Sequence, residues 1–133
     1  MSKSLYIGVD FDETIVKFHK EEVGEPIEGA IECIKALQAA GHKIILYTMR
    51  SNERLVQAVE YLEEEGVKLY AVNENPSQKY WTSSPKIFCN LYIDDAALGC
   101  PLDIDYNDKG EPIGRPYVDW VAVERMLHDR EIL

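Results

Sequence analysis

The sequence predicts an α/β protein built around a mainly parallel sheet. Short apolar runs alternate along the chain with segments whose apolar residues recur every three or four positions. This is the pattern of strands that alternate with helices. The chain has 133 residues, a length that suits one domain with its own core. We therefore expect residues 1–133 to form a single domain.

The periodicity also predicts the elements in order. The apolar runs predict strands at residues 5–9, 43–48, 67–72 and 91–93. Helical spacing predicts helices over about residues 27–37, 51–65 and 117–130, and Gly41 and Gly66 end the first two. The remaining segments are predicted to be a charged connector at residues 13–26, a long polar loop at 73–84, and a turn or irregular hairpin at 101–116.

Two expectations concern single side chains. Tyr47 lies within the second predicted strand and is expected in the core. His19, His42 and His128 are scattered without the spacing of metal ligands, so each is expected at the surface.

Charge and cysteine content narrow the classes of function. The formal net charge of −10 argues against a general binder of nucleic acid or of anionic membranes. The three cysteines, Cys33, Cys89 and Cys100, are odd in number and have no Cys-x-x-Cys spacing. Neither a disulfide framework nor a zinc site is therefore indicated. The sequence shows no signal peptide and no apolar run of transmembrane length, so we expect a cytoplasmic protein that does not enter the membrane.

Polar residues with catalytic chemistry stand at the ends of the predicted strands. Asp10 and Asp12 follow the first strand, and Asp94 and Asp95 follow the fourth. The carboxyl ends of parallel strands lie along one edge of a sheet, so these acids should converge. Residues i and i+2 of a strand point to the same side, so Asp10 and Asp12 are expected to face one volume. Mutual repulsion of about 4 kcal/mol per close pair then favours a divalent cation, and an oxygen-only ligand set suits Mg²⁺.

The ordered set of motifs resembles the haloacid dehalogenase superfamily of phosphohydrolases and phosphotransferases. The matching segments, over residues 5–95, are Asp10-Phe11-Asp12-Glu13-Thr14, a strand ending in Thr48, Lys86, and a strand ending in Asp94-Asp95. The resemblance implies a Rossmann-like three-layer sandwich. It also implies that the chain is capless, because the intervals where caps are inserted hold only residues 13–26 and one helix–strand unit.

The resemblance implies a role for each motif residue. Asp10 would attack phosphorus and form an aspartyl-phosphate. Asp12 would be the general acid for the leaving alcohol and then the base for the hydrolytic water. Thr48, the backbone amide of Met49 and Lys86 would bind the transferring phosphoryl group. Lys79 also precedes the acidic pair and stays open as the phosphate lysine, although Lys86 is closer to the last strand.

The same resemblance implies a Mg²⁺ site. Asp10, Asp94 and the backbone carbonyl of Asp12 would bind the ion, and Asp95 would hold a metal-bound water or orient Lys86. Arg50 and Ser51 follow Thr48 and stay open as phosphate contacts, with a helix N-cap favoured for Ser51.

The sequence thus predicts a Mg²⁺-dependent phosphomonoesterase that acts on a phosphorylated small molecule or macromolecule. One alternative is a phosphoacceptor signalling domain of the response-regulator type, and another is a catalytically silent binding protein with the same fold. The order of motifs favours the first, because response regulators place Thr after the phosphoacceptor Asp and Lys last. Segments 13–26 and 73–84, the latter with Tyr80 and Trp81, are expected to border the site. The substrate stays open, as does assembly into a homo-oligomer.

Overall fold

The chain alternates strands and helices much as the sequence predicts. The computed structural model describes residues 3–133. Its strands are β1 (Tyr6–Val9), β2 (Lys43–Leu46), β3 (Leu69–Val72), β4 (Leu91–Ile93), β5 (Leu102–Tyr106) and β6 (Pro112–Val118). Its helices are α1 (Ala30–Ala39), α2 (Asn52–Glu64) and α3 (Trp120–Asp129), with a short 3₁₀ helix over Pro76–Tyr80.

The central sheet has four parallel strands in the order β3-β2-β1-β4. Ile7 of β1 pairs with Ile44 on one side and with Leu91 on the other. With the three helices this makes a Rossmann-like α/β sandwich, which confirms the predicted fold class. The topology brings the carboxyl end of β1 between those of β2 and β4, where the motif residues follow.

One face of the sheet holds the main hydrophobic core. Ile7, Val9, Ile44 and Leu46 point to this face and belong to one buried cluster. The helices complete that cluster with Cys33, Ile34 and Leu37 from α1, Ala58 and Leu62 from α2, and Trp120, Val123 and Leu127 from α3. Burial of these apolar side chains is the main stabilising contribution to the fold.

The opposite face is covered by the chain that crosses from β3 to β4. This crossover returns past β2 and β1, and right-handed crossovers place it on the side away from α1 and α2. Gln78 organises the segment, because its buried side-chain amide donates to the carbonyls of Ser84 and Lys86 and accepts from the amide of Phe88. Tyr6 of β1 holds it to the sheet through a 3.0 Å hydrogen bond to Ser77. The second covering layer is therefore a largely irregular segment rather than an α-helix.

The structure differs from the sequence prediction at several element boundaries. Segment 73–84 contains the 3₁₀ helix, which begins after Asn75, whose side chain accepts from the amide of Ser77. The last helix begins at Trp120 rather than near residue 117, because Asp119 caps it by accepting from the amide of Ala122. Residues 112–118 form β6, which pairs with β5 in the antiparallel hairpin expected around residues 107–110.

Two side-chain expectations are wrong. Tyr47 is 40% exposed instead of buried, because the polypeptide has already left β2 at that position. His42 is buried: its Nδ1 accepts from the amide of Leu5, and its Nε2 lies 3.0 Å from the carbonyl oxygen of Ile132. Over residues 3–133, no helix is long and apolar enough to cross a lipid bilayer.

Candidate active site

Three carboxylates meet at the carboxyl ends of β1 and β4. The strand pairing continues one residue beyond β1, since the amide of Asp10 donates to the carbonyl of Ile93 at 3.0 Å. Asp10 is thereby placed beside Asp94, the residue that follows β4. One carboxylate oxygen each from Asp10, Asp94 and Asp95 lies within 4.8 Å of the others. We call these three residues the acidic cluster.

Thr14 links the two sides of the acidic cluster. Its buried hydroxyl lies 3.2 Å from an Asp10 carboxylate oxygen and 3.3 Å from one of Asp95, and it accepts from the amide of Asp95 at 3.2 Å. The backbone carbonyl of Thr14 in turn accepts from the buried indole of Trp120 at 2.6 Å. Sequence reasoning quoted Thr14 as part of the first motif but assigned it no role.

The acidic cluster changes the protonation of Asp10. Burial raises the pKa of Asp10 to about 8, and the hydrogen bond to Asp95 and the negative charge of Asp94 add to the shift. The three carboxylates therefore repel one another when all are ionised. A divalent cation relieves this repulsion, and a set of carboxylate oxygens is what Mg²⁺ prefers. Asp10, Asp94 and Asp95 are therefore the residues that could hold a divalent cation.

The side chain of Asp12 lies outside the acidic cluster. Both of its oxygens contact Arg50, at 2.9 Å from Nε and 2.7 Å from Nη2. Arg50 is only 3% exposed, and its guanidinium also donates to the carbonyls of Glu22 and Arg54. This is a bidentate ion pair, in which two N–H groups of the guanidinium donate to the two oxygens of one carboxylate.

The local backbone explains why Asp12 does not share a volume with Asp10. The chain turns immediately after Asp10, because the carbonyl of Phe11 accepts from the amides of residues 14, 15 and 16. The two-residue alternation of a strand therefore stops before Asp12. Glu13 adopts a left-handed φ of 62° and is held by its side chain, which accepts from the Phe18 amide, and by its carbonyl, which accepts from Val118. The sequence left Arg50 open as a phosphate contact and did not indicate its bond to Asp12.

Thr48 and Met49 form the loop that follows β2. The Thr48 hydroxyl accepts from the amide of Arg50 at 3.1 Å, and the Thr48 amide donates to the side chain of Asn73 at 2.8 Å. Asn73 adopts a left-handed φ of 53° directly after β3. The side chain of Met49 is almost fully exposed. Ser51 stands at the N-cap of α2 without a side-chain capping hydrogen bond.

The two candidate lysines differ in position. Lys86 lines an open groove together with Asp94 and Tyr47, and its Nζ lies 6.0 Å from the centroid of the Tyr92 ring. Lys79 lies on the 3₁₀ helix with its Nζ 5.4 Å from the centroid of the Tyr80 ring. Within residues 3–133, Lys86 forms no ion pair, and Asp95 contacts Thr14 rather than Lys86. Lys86 therefore shares a groove with a residue of the acidic cluster, and Lys79 does not line that groove.

The two segments expected to border the site have different positions. The connector 13–26 runs past Arg50 and Arg54, since the carbonyls of Glu22 and His19 accept from those guanidinium groups. In segment 73–84, Trp81 packs edge-on against Phe88 with ring centroids 5.4 Å apart. Trp81 thus packs within the crossover that covers the second face of the sheet.

Comparisons with known proteins identify one similar structure. No protein-family model matches the chain, and neither does any curated protein. The chain is similar to a solved structure described as that of a conserved protein coded by a locus from Bacteroides thetaiotaomicron. The two are 31% identical, the alignment covers 96% of this chain and 93% of that one, and the TM-score is 0.75.

Proposed function

The chain belongs to the family of the conserved Bacteroides thetaiotaomicron protein, and we propose that it is a Mg²⁺-dependent phosphomonoesterase of the haloacid dehalogenase type. The observation that carries this proposal is the acidic cluster at the ends of β1 and β4. It combines a nucleophile candidate with a site for the cation that a dianionic substrate needs. Two further motif residues support it: Thr48 follows the neighbouring strand β2, and Lys86 lines a groove with Asp94.

Asp10 is the nucleophile in this proposal. One of its carboxylate oxygens attacks phosphorus, the bond from phosphorus to the alcohol oxygen breaks, and an aspartyl-phosphate forms. Water then attacks this intermediate, which releases inorganic phosphate and restores Asp10. Thr14 holds the Asp10 carboxylate from the side of Asp95, which limits its rotation.

Acid–base chemistry is assigned to Asp12. The leaving alkoxide needs a proton, and the attacking water must lose one. Asp12 can serve these steps once its side chain turns from Arg50 towards the substrate, a rotation that frees the guanidinium for the incoming phosphate.

Mg²⁺ would be held by Asp10, Asp94 and the backbone carbonyl of Asp12, with Asp95 beside them. When bound it neutralises part of the charge that accumulates between phosphate and carboxylates. Lys86 supplies a second positive charge from the groove next to Asp94. Together these groups make the approach of an anionic substrate to an acidic cluster favourable.

The test is hydrolysis of p-nitrophenyl phosphate with and without Mg²⁺. We expect turnover that requires Mg²⁺ and that falls at least about 10³-fold in Asp10→Asn, as expected when a nucleophile is removed. Asp108→Asn, an exposed acid in the hairpin turn, is the matched control and should retain full activity. Circular dichroism confirms that both variants are folded.

Two results would contradict the proposal. A folded Asp10→Asn protein with near-normal turnover would remove Asp10 as the nucleophile. Absence of Mg²⁺-dependent hydrolysis across a panel of phosphomonoesters would favour the silent binding protein instead.

A further inference from the structure

An open groove with two exposed aromatic rings begins at the acidic cluster. It has a volume of about 340 Å³ and is lined by Tyr47, Lys86, Tyr92, Asp94, Ala96 and Ala97. We call it the aromatic groove. Asp94 belongs both to the groove and to the acidic cluster, so the two are continuous.

Tyr47 and Tyr92 form a pair at the mouth of the site. Their ring centroids are 6.0 Å apart with the planes inclined at 60°, and the residues are 40% and 38% exposed. Exposed aromatic rings side by side are a common feature of binding surfaces. Both rings are therefore partly exposed, and Lys86 lies over the ring of Tyr92.

The strand pairing determines the distance between this pair and the nucleophile. The amide of Tyr47 donates to the carbonyl of Val9, and the amide of Asp10 donates to the carbonyl of Ile93. Tyr47, Asp10 and Asp94 therefore stand side by side across three strands. The backbones of neighbouring strands are about 4.8 Å apart. The backbones of Tyr47 and Asp10 are therefore separated by one such spacing.

Gly8 allows Tyr92 to lie close to the sheet. A Cβ atom at position 8 would be 2.9 Å from the Cys89 sulfur and 3.3 Å from Cδ1 of Tyr92. A side chain at position 8 would therefore force the Cys89 sulfur to move and would press against the Tyr92 ring. The absence of a side chain at Gly8 leaves room for both residues.

The groove has one positive charge, that of Lys86, beside the carboxylate of Asp94. Residues 75–93 contain no Asp or Glu although the whole chain has a net charge of −10, and they include Lys79 and Lys86. Lys86 stands over the Tyr92 ring and has no ion-pair partner in the described part of the chain. A ligand with one planar ring and one phosphate would match both features of the groove.

We propose that the aromatic groove binds the base of a nucleoside monophosphate, which makes nucleotides the substrate class; this inference rests on the proposed phosphomonoesterase function. The base stacks on Tyr47 while the phosphate reaches Asp10, and the ribose lies between them.

The overall reaction is hydrolysis of the phosphate ester. The bond between phosphorus and the ribose oxygen breaks, water supplies the oxygen that phosphorus gains, and the ribose oxygen leaves as a protonated hydroxyl. The products are a nucleoside and inorganic phosphate. No oxidant or reductant takes part.

The test compares adenosine 5′-monophosphate with ribose 5-phosphate in the presence of Mg²⁺. The two substrates share the leaving oxygen and differ in the base. We expect the intact protein to favour the nucleotide in kcat/KM by about 5- to 100-fold, the range of one stacked base. Tyr47→Leu should lose most of this preference, and Tyr47→Phe should keep it, because only the latter retains the ring.

The control variant is Tyr106→Leu, an exposed tyrosine of β5 outside the groove, which should leave both rates unchanged. Equal kcat/KM for the two substrates in the intact protein would overturn the inference while leaving the phosphomonoesterase proposal intact. An equal fall for both substrates in Tyr47→Leu would do the same.

If no phosphomonoester is hydrolysed, the proposed function fails, and binding of the base is then measured separately. Adenosine, which has no phosphate, is then titrated while NMR chemical shifts are recorded. Saturable shifts that Tyr47→Leu abolishes and Tyr47→Phe retains would support base binding. Absence of adenosine binding to the intact protein would overturn the inference.

Discussion

Asp12 is the residue whose surroundings differ most from what its motif predicts. Its carboxylate is engaged by Arg50 rather than facing Asp10. The ion pair is protected from water on the arginine side and partly open on the aspartate side. Such a pair is destabilised strongly when one member is removed, because the other charge stays without a partner.

We therefore predict that Arg50→Gln lowers the free energy of unfolding by about 2–4 kcal/mol. Asp12→Asn should also destabilise, and the double variant should lose less than the sum of the two by about 1–3 kcal/mol. Urea denaturation measures all three, with Arg125→Gln on the exposed face of α3 as the control. Additive effects of the two substitutions would show that the pair contributes nothing.

Asp10 makes the stability of the metal-free protein depend on pH. Its pKa is about 8 in the folded protein against an ordinary value of 3.8. Between these values the folded state holds a proton that the unfolded chain has lost. The free energy of unfolding should consequently fall as pH rises through this window.

Urea denaturation in the presence of EDTA, at several pH values from about 4 to 9, measures this decline. Asp10→Asn has no carboxyl group to titrate and should show a smaller decline than the intact protein. A decline of equal size in both proteins would mean that Asp10 is not the group responsible.

At the scale of elements, α3 is connected to the candidate active site by a hydrogen bond. Trp120 at the start of the helix donates its indole N–H to the carbonyl of Thr14, the residue that holds Asp10 and Asp95. Both residues are buried. An unpaired buried carbonyl costs about 1–3 kcal/mol.

We predict that Trp120→Phe lowers the free energy of unfolding by about that amount and reduces Mg²⁺-dependent turnover, because Thr14 loses its support. Trp81→Phe, an exposed position, should change stability by less than about 0.5 kcal/mol. Thermal denaturation and the phosphatase assay give the two readouts. A Trp120→Phe protein with unaltered stability would show that the hydrogen bond is replaced by another partner.

At the scale of the whole molecule, the rate at which the buried cysteines are alkylated measures how often the fold opens. Burial raises the pKa of Cys33 to about 12 and that of Cys89 to about 11. The pKa of Cys100, which is only half-buried, is also raised by burial. Thiolates are the reactive form, so high pKa and burial both slow alkylation.

We predict that native protein at pH 8 is alkylated first at Cys100, and that Cys33 and Cys89 react only on opening. Mass spectrometry of peptides after timed iodoacetamide exposure identifies each site. Mg²⁺ should slow the labelling of Cys33 further, since a ligand of the folded state makes opening rarer. Labelling of Cys33 at the rate of Cys100 would show that the core around α1 is not closed.

The sequence by itself determined the order and type of the elements of the central sandwich. Strand β4 is predicted at its observed bounds, and β1, β2 and α2 within two residues, because apolar periodicity is a local property of the chain. It also determined that acids follow β1 and β4, so the convergence of Asp10 with Asp94 and Asp95 follows from parallel pairing alone.

Tertiary structure decided which partners these residues have. Arg50 contacts Asp12 across 38 positions, Thr14 contacts Asp95 across 81, and Trp120 contacts Thr14 across 106. The direction of the Asp12 side chain depends on the turn after Asp10, and the exposure of Tyr47 depends on where β2 ends. Such contacts arise only when distant segments pack together, and the local pattern of residue types carries no record of that packing.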